Sequence, residues 1–416
     1  MVKAGAGGAA AVVLGGPFAF TARAQTAPPS GAPSLRKGIS LAGHGPLLVP
    51  DGDPNDYRLH GNREYFRSSG TAWAKLWVSW DQLQRDFVPH SRADSWAQLG
   101  GAPNGEAVLR RLDRQVRAAN EDGVAVMLTL AATPAWASGA HLADRERGRK
   151  PLEATPAADL TPGGPWAWFL GYMCARYKPG VPASASGPLE SLAGELAGAG
   201  NPDGAHVAAI EVCNEPNQVM WPQNGLAGRV AQMVRSAVAV SGGLGGPRIL
   251  APGTSDTDAV GKPDRSNWRA FTTDVLDALG DFRPGRRFGW SHHNYNDTDE
   301  ERSAAGSRAR VVLELLRASS LEGDGRLWLT ESGVNIHPDQ DQPPARAAQA
   351  RKLERNFAEM AKLDGVHLWT QHVINDVAQN TFKSGLRDDF LSSPPRPGTP
   401  RPAYDAWARL PGAHTP

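Results

Sequence analysis

Eight short apolar runs recur along this 416-residue chain, separated by stretches with helical periodicity. Several are nearly continuous apolar runs, such as VAVMLTL from Val124 to Leu130, the pattern of a strand buried on both faces. Strands that alternate with helices specify parallel βα units rather than hairpins. The predicted strands are Gly38–Leu41, Ala74–Trp77, Val124–Leu130, Val207–Cys213, Arg248–Ala251, Arg287–Ser291, Arg326–Thr330 and Val366–Thr370. Eight such units in series fit a closed α/β barrel, (β/α)8, better than a doubly wound sheet. No Gly-x-Gly-x-x-Gly follows the first strand, so a dinucleotide fold lacks its fingerprint.

The helical segments support that order. Residues Gly105–Asp122 carry Val108, Leu109, Leu112, Val116 and Ala119 near a 3.6-residue spacing, and Ala345–Leu363 does the same with Ala350, Leu353, Phe357 and Met360. Two long connections interrupt the rhythm. Residues 139–165 follow the third strand, on the side where barrel active sites form, and residues 183–206 precede the fourth, on the opposite side. A Pro-rich stretch, 392–402, leads into a short closing helix, Ala403–Leu410. At the N-terminus, Lys3, the small apolar stretch 4–20 and Ala22-Arg23-Ala24 read as a signal peptide over 1–24. The expected organisation is therefore a signal peptide, a flexible linker over 25–35, one domain over 36–410 and a tail over 411–416. A secreted, monomeric protein is expected.

Composition narrows the function classes. Lys+Arg is 44 against 43 for Asp+Glu, so no basic footprint for nucleic acid and no acidic tail exists. No run reaches the roughly 18 apolar residues of a membrane span. The two cysteines, Cys174 and Cys213, make no C-x-x-C pair; they could join each other, but two buried thiols are favoured. No His-Glu-x-x-His or similar spacing suggests a metal, and no cofactor is expected. The 13 Trp are unusual, because an indole face is a flat apolar surface on which sugar rings stack. Most should be core; Trp80, Trp136, Trp221 and Trp290 lie near strand ends and are candidates for stacking.

Two strand ends carry chemistry. The fourth runs Ile210-Glu211-Val212-Cys213-Asn214-Glu215-Pro216-Asn217, and Pro216 cannot donate to a sheet ladder, so the strand stops with Glu215 at the barrel mouth. The seventh runs Leu327-Trp328-Leu329-Thr330-Glu331-Ser332-Gly333 and leaves Glu331 at the same rim. Either glutamate alone could be a solvated loop residue. Strands four and seven face each other across an eight-stranded barrel, however, so the two carboxylates can meet over the axis. Alternation sends the adjacent His292 and His293 to opposite faces, one toward the cleft, and His293 is counted with the substrate-binding residues.

An Asn-Glu-Pro end to the fourth strand and a Glu ending the seventh resemble clan A of the glycoside hydrolases, nearest to families 5 and 39 without a close match to either. The likeness covers roughly residues 36–410 and includes Thr133-Pro134-Ala135-Trp136, Ser291-His292-His293-Asn294-Tyr295 and Leu368-Trp369. The resemblance implies a retaining glycosidase with Glu215 as acid/base and Glu331 as nucleophile. It implies that Tyr295 hydrogen-bonds the nucleophile and that Trp369 floors the sugar site. Asn214, His293, Trp136 and Trp221 complete the expected substrate contacts. One position departs from the pattern: many clan members carry Arg within the second strand to support the nucleophile, and here Lys75 stands there. Lys75 could hold Glu331 ionised, or it could be a solvated strand end. The alternatives are a carbohydrate-binding barrel without catalysis, a metal-dependent hydrolase and an aldolase. The last two lack any companion signal comparable to the glutamate pair.

Overall fold

The computed structural model describes residues 35–41, 63–101, 103–137, 159–178, 205–218, 225–261, 265–285, 287–319, 321, 326–376, 382–389, 391–392, 395–396 and 398–412. The expected signal peptide, the linker up to residue 34, Trp221 and most of both long connections lie outside them.

Eight parallel strands close on themselves: β1 (Arg36–Ser40), β2 (Trp73–Ser79), β3 (Ala125–Ala131), β4 (Ala209–Glu211), β5 (Arg248–Leu250), β6 (Phe288–His293), β7 (Leu327–Ser332) and β8 (Val366–His372). The pairing of β1 with β8, Arg36 opposite Leu368 through Ser40 opposite His372, shuts the barrel. The fold is the expected (β/α)8 barrel.

Several strands run farther toward the mouth than hydropathy indicates. β6 continues through His292 and His293, β7 through Glu331 and Ser332, and β8 through Gln371 and His372. Polar side chains end the apolar signal there, yet the backbone ladder continues past them. The helices at Pro103–Glu121 and Pro343–Met360 cover the strands, and Pro402–Arg409 closes the fold. A short antiparallel pair, Leu391–Ser392 with Pro395–Arg396, forms within the Pro-rich stretch.

Alternation along each strand divides two cores. Outward-facing residues such as Ile39, Val126, Ile210, Trp290 and Trp369 pack with the helices. Inward-facing Trp73, Met127, Ala209, Leu250, Trp328 and Leu368 plug the lower barrel. One layer higher, Lys75, Thr129, Glu211, Ser291 and Thr330 are all fully buried. The barrel is thus apolar at its base and polar under its mouth. Cys174 and Cys213 are free, buried thiols, and burial pushes that of Cys174 up to about 12.

Candidate active site

Four strand ends bring the site together. Glu215 follows β4 and sits in the left-handed region at φ +42°, a conformation that costs a non-glycine residue about 1–3 kcal/mol. The surrounding backbone imposes it. Glu215 N donates to Gly253 O at 2.7 Å, and Asn217 ties the turn to the segment after β5 through Ser255 N and O. Gly253 must lack a side chain, because a Cβ there would lie 2.7 Å from Glu211 Oε1 and 2.8 Å from His293 Nε2.

Glu331 is aimed inward by an irregularity. Thr330 already points into the barrel, toward Glu211 and Ser291, so strict alternation would turn Glu331 outward. The register of β7 shifts against both neighbours near this point, and the shift re-aims the carboxylate. Lys75 Nζ then reaches Glu331 Oε1 at 3.0 Å, and the Tyr295 hydroxyl donates to Oε2 at 2.9 Å. The short helix that Tyr295 begins is held by Asp256, whose carboxyl oxygen accepts the backbone N–H of Asn296 at 2.7 Å.

His293 links the two glutamates. Its Nδ1 lies 3.0 Å from Glu215 Oε1 and 3.6 Å from Glu331 Oε2. The two legs together are the upper bound on the separation of those oxygens. That bound admits the ~5–5.5 Å separation of retaining glycosidases. His292, next in the strand, faces outward against Trp268.

Beneath the pair lies a carboxylate that sequence reasoning missed. Glu211 Oε2 is 2.8 Å from Lys75 Nζ and accepts from Thr129 Oγ1 at 2.7 Å, while Oε1 accepts from Thr330 Oγ1 at 2.6 Å and from Ser291. The available signal was parity: Glu211 shares the inward face of β4 with Ala209. Lys75 is fully buried between two carboxylates, so the open question of its role resolves against a solvated strand end.

The electrostatics follow from burial and these pairs. Burial raises the Glu331 carboxyl, but Lys75 above all, then His293, outweigh it and hold Glu331 ionised well below the usual range. Burial likewise opposes charge on Glu211, and Lys75 and His293 overcome it. Lys75 is kept protonated by Glu211 and Glu331 against the cost of burial. His293 is raised because Glu331 and Glu215 outweigh burial. The Tyr295 phenol stays protonated, since burial and Glu331 both disfavour the phenolate.

The expectation for Trp369 is overturned. Trp369 does not line the mouth: it is fully buried, donates through Nε1 to Asn356 at 2.7 Å, and packs against Trp407 and Phe357. The parity of β8 decides this, because Leu368, Thr370 and His372 take the inward face. The inward residue at the end of β8 is His372, whose ring stands edge-on to Tyr295 at 6.1 Å. Trp136 is partly buried, donating to Gln84 O at 2.7 Å with its ring edge-on to Trp80. Trp80 and Trp290 are core residues. Asn214 bridges to Gly253 beside Glu215. Among the described residues no group of three or more His, Cys, Asp or Glu could hold a metal ion, and no helix is long and apolar enough to cross a membrane.

No protein-family model matches the chain, and no curated protein does. Solved structures share the fold. A GH5_18 protein from Streptomyces cattleya in complex with Manb1-4GlcNAc is 16% identical, with 92% of this chain and 82% of that one covered at a TM-score of 0.54. A GH5_18 protein from Bifidobacterium longum subsp. infantis is 17% identical, covering 90% and 77% at 0.53. XacCel5A, in complex with cellopentaose, is 14% identical, covering 90% and 99% at 0.52. At these identities the likeness is one of fold.

Proposed function

We propose that this chain is a retaining glycoside hydrolase of the clan A type, acting as a secreted monomer on β-linked oligo- or polysaccharides. The observation that carries this reading is the pairing of Glu215 and Glu331 about one His293 nitrogen, with the two carboxylates in unlike surroundings. Glu331 is seated on Lys75 and Tyr295 and is kept ionised, as a nucleophile must be. The Glu215 side chain is 20% exposed against 5% for Glu331 and stands where a leaving group and then water can reach it. The barrel neighbours, with their bound Manb1-4GlcNAc and cellopentaose, support the carbohydrate class.

In the first step a Glu331 oxygen bonds to the anomeric carbon, the glycosidic C–O bond breaks, and the leaving oxygen takes the proton of Glu215. In the second, Glu215 removes a proton from water, the water oxygen bonds to the anomeric carbon, and Glu331 is released as carboxylate. Two inversions give net retention. Lys75 and Tyr295 also stabilise the negative charge that returns to Glu331 as it leaves in the second step.

Azide separates the roles. Glu331→Ala should let azide attack directly and yield the inverted glycosyl azide. Glu215→Ala should lose most activity on poor leaving groups, still form the intermediate from activated aryl glycosides, and yield the retained azide. Swapped configurations would exchange the roles. Unimpaired hydrolysis in both variants would remove the pair from catalysis. A wild-type protein that binds oligosaccharides yet hydrolyses none would be a binding barrel instead. Export is tested by the mature N-terminus, expected at Gln25 after expression in a secreting host.

A further inference from the structure

His372 occupies the mouth in a way the catalytic scheme does not use. It ends β8 on the inward face, and its side chain is only 15% exposed. Its Nδ1 lies 3.5 Å from Glu331 Oε2, beyond the roughly 2.7–3.2 Å of a good N–H···O bond, and has no hydrogen-bond partner among the described residues. Oε2 is already served by Tyr295. Phe382, from the segment after β8, stands edge-on to both His372 at 6.0 Å and Tyr295 at 5.2 Å. Tyr295, Phe382 and His372 thus form an aromatic wall on the Oε2 side of Glu331, opposite Lys75. One polar atom in that wall lacks a partner.

A sugar poised for attack brings its anomeric carbon to about 3–3.5 Å from the nucleophilic oxygen. A ring nitrogen at a similar distance from that oxygen meets the ring's own substituents. We propose that His372 is a specificity-determining residue that hydrogen-bonds one hydroxyl of the sugar ring presented to Glu331. The proposal rests on the glycosidase reading above. Burial, with Lys75 and His293, disfavours the imidazolium of His372. The neutral ring offers one donor and one acceptor, and a hydroxyl can satisfy either. A tryptophan floor at this position would offer a face for stacking and a single donor; His372 can accept as well, which makes recognition depend on the hydroxyl itself. Phe382 supplies the apolar contact beside it.

The test uses aryl β-glucoside, mannoside and xyloside. For the parent sugar cleaved fastest, the matching 2-, 3-, 4- and 6-deoxy compounds are compared, where the sugar has those hydroxyls. The wild-type enzyme should discriminate against one deoxy compound by at least about tenfold in kcat/KM, the worth of one hydrogen bond. His372→Phe should abolish that discrimination for the same compound while leaving the other deoxy ratios unchanged. His372→Gln, which restores a donor and an acceptor, should regain part of it, and thermal melts verify that both variants fold. If the wild type cleaves the parent, Glu331→Ala is inactive, and every deoxy ratio is the same in wild type and His372→Phe, this proposal falls while the glycosidase reading stands. A wild type that cleaves no glycoside removes both.

Discussion

Replacing Lys75 by Met tests the electrostatic core of the site. The substitution keeps the length of the side chain and removes the one fully buried cation between Glu211 and Glu331, at 2.8 and 3.0 Å. Two unit charges 3.0 Å apart interact by about 5.5 kcal/mol at an effective dielectric of about 20. At 1.36 kcal/mol per unit that is an upper limit of about 4 pKa units for Glu331. Lys75 is divided between two carboxylates, His293 remains, and the cavity relaxes, so a rise of about 2 units is expected. The sign is upward, because burial then works against the ionised form with its largest opponent gone. Since Glu331 attacks only when ionised, the acid limb of kcat/KM should move up by the same amount. Stability should fall by about 3–5 kcal/mol, the usual result of stripping one partner from a buried ion pair. Lys75→Arg should recover much of the plateau, because its fork can bridge two carboxylates. The assay is a pH–rate profile on an aryl glycoside beside urea unfolding of the same proteins. An acid limb that stays put in Lys75→Met, with stability within about 1 kcal/mol of wild type, would refute the argument.

Other perturbations test neighbouring links. Tyr295→Phe removes one hydrogen bond to a charged carboxylate, about 1.5–3 kcal/mol, and should lower both the melting temperature and kcat/KM; an unchanged rate would deny Tyr295 a part in positioning Glu331. Gly253→Ala places a methyl against Glu211 and His293 and should destabilise by about 1–3 kcal/mol while lowering kcat more than the loss of folded protein explains; wild-type kinetics and melting would show that the contact relaxes freely. Glu331 and Glu211 have folded-state pKa values depressed below the ordinary 4.5, so their contribution to stability is present above that value and is lost as pH falls through the lower folded values. Asp256 has the opposite sign: raised to about 8 by burial and Asp297, its contribution is complete below its ordinary 3.8 and is lost as pH rises through about 8. Melting temperature should therefore fall on both flanks, and Glu211→Gln should flatten the acid flank specifically.

The sequence by itself determined the barrel, because eight apolar runs buried on both faces and separated by helices leave little else to build. It also determined that Glu215 and Glu331 sit at strand ends, since Pro216 and the Ser332-Gly333 turn stop the runs beside them. Which way each side chain points was a tertiary decision. The run Val366–Thr370 puts one polar residue on each face, His367 with Trp369 and Thr370 with Leu368, so its parity signal is ambiguous and Trp369 could be placed on its strand but not on its face; closure of the barrel turned it outward and gave the mouth to His372. The β7 register shift that turns Glu331 inward beside Thr330 depends on pairing with both β6 and β8. Glu211 and Lys75 lie 136 residues apart in the chain, and only the closed barrel puts their charges within 2.8 Å. Local pattern encodes where a strand runs and ends; the sharing of one lysine and one histidine among three carboxylates is a property of strands brought side by side.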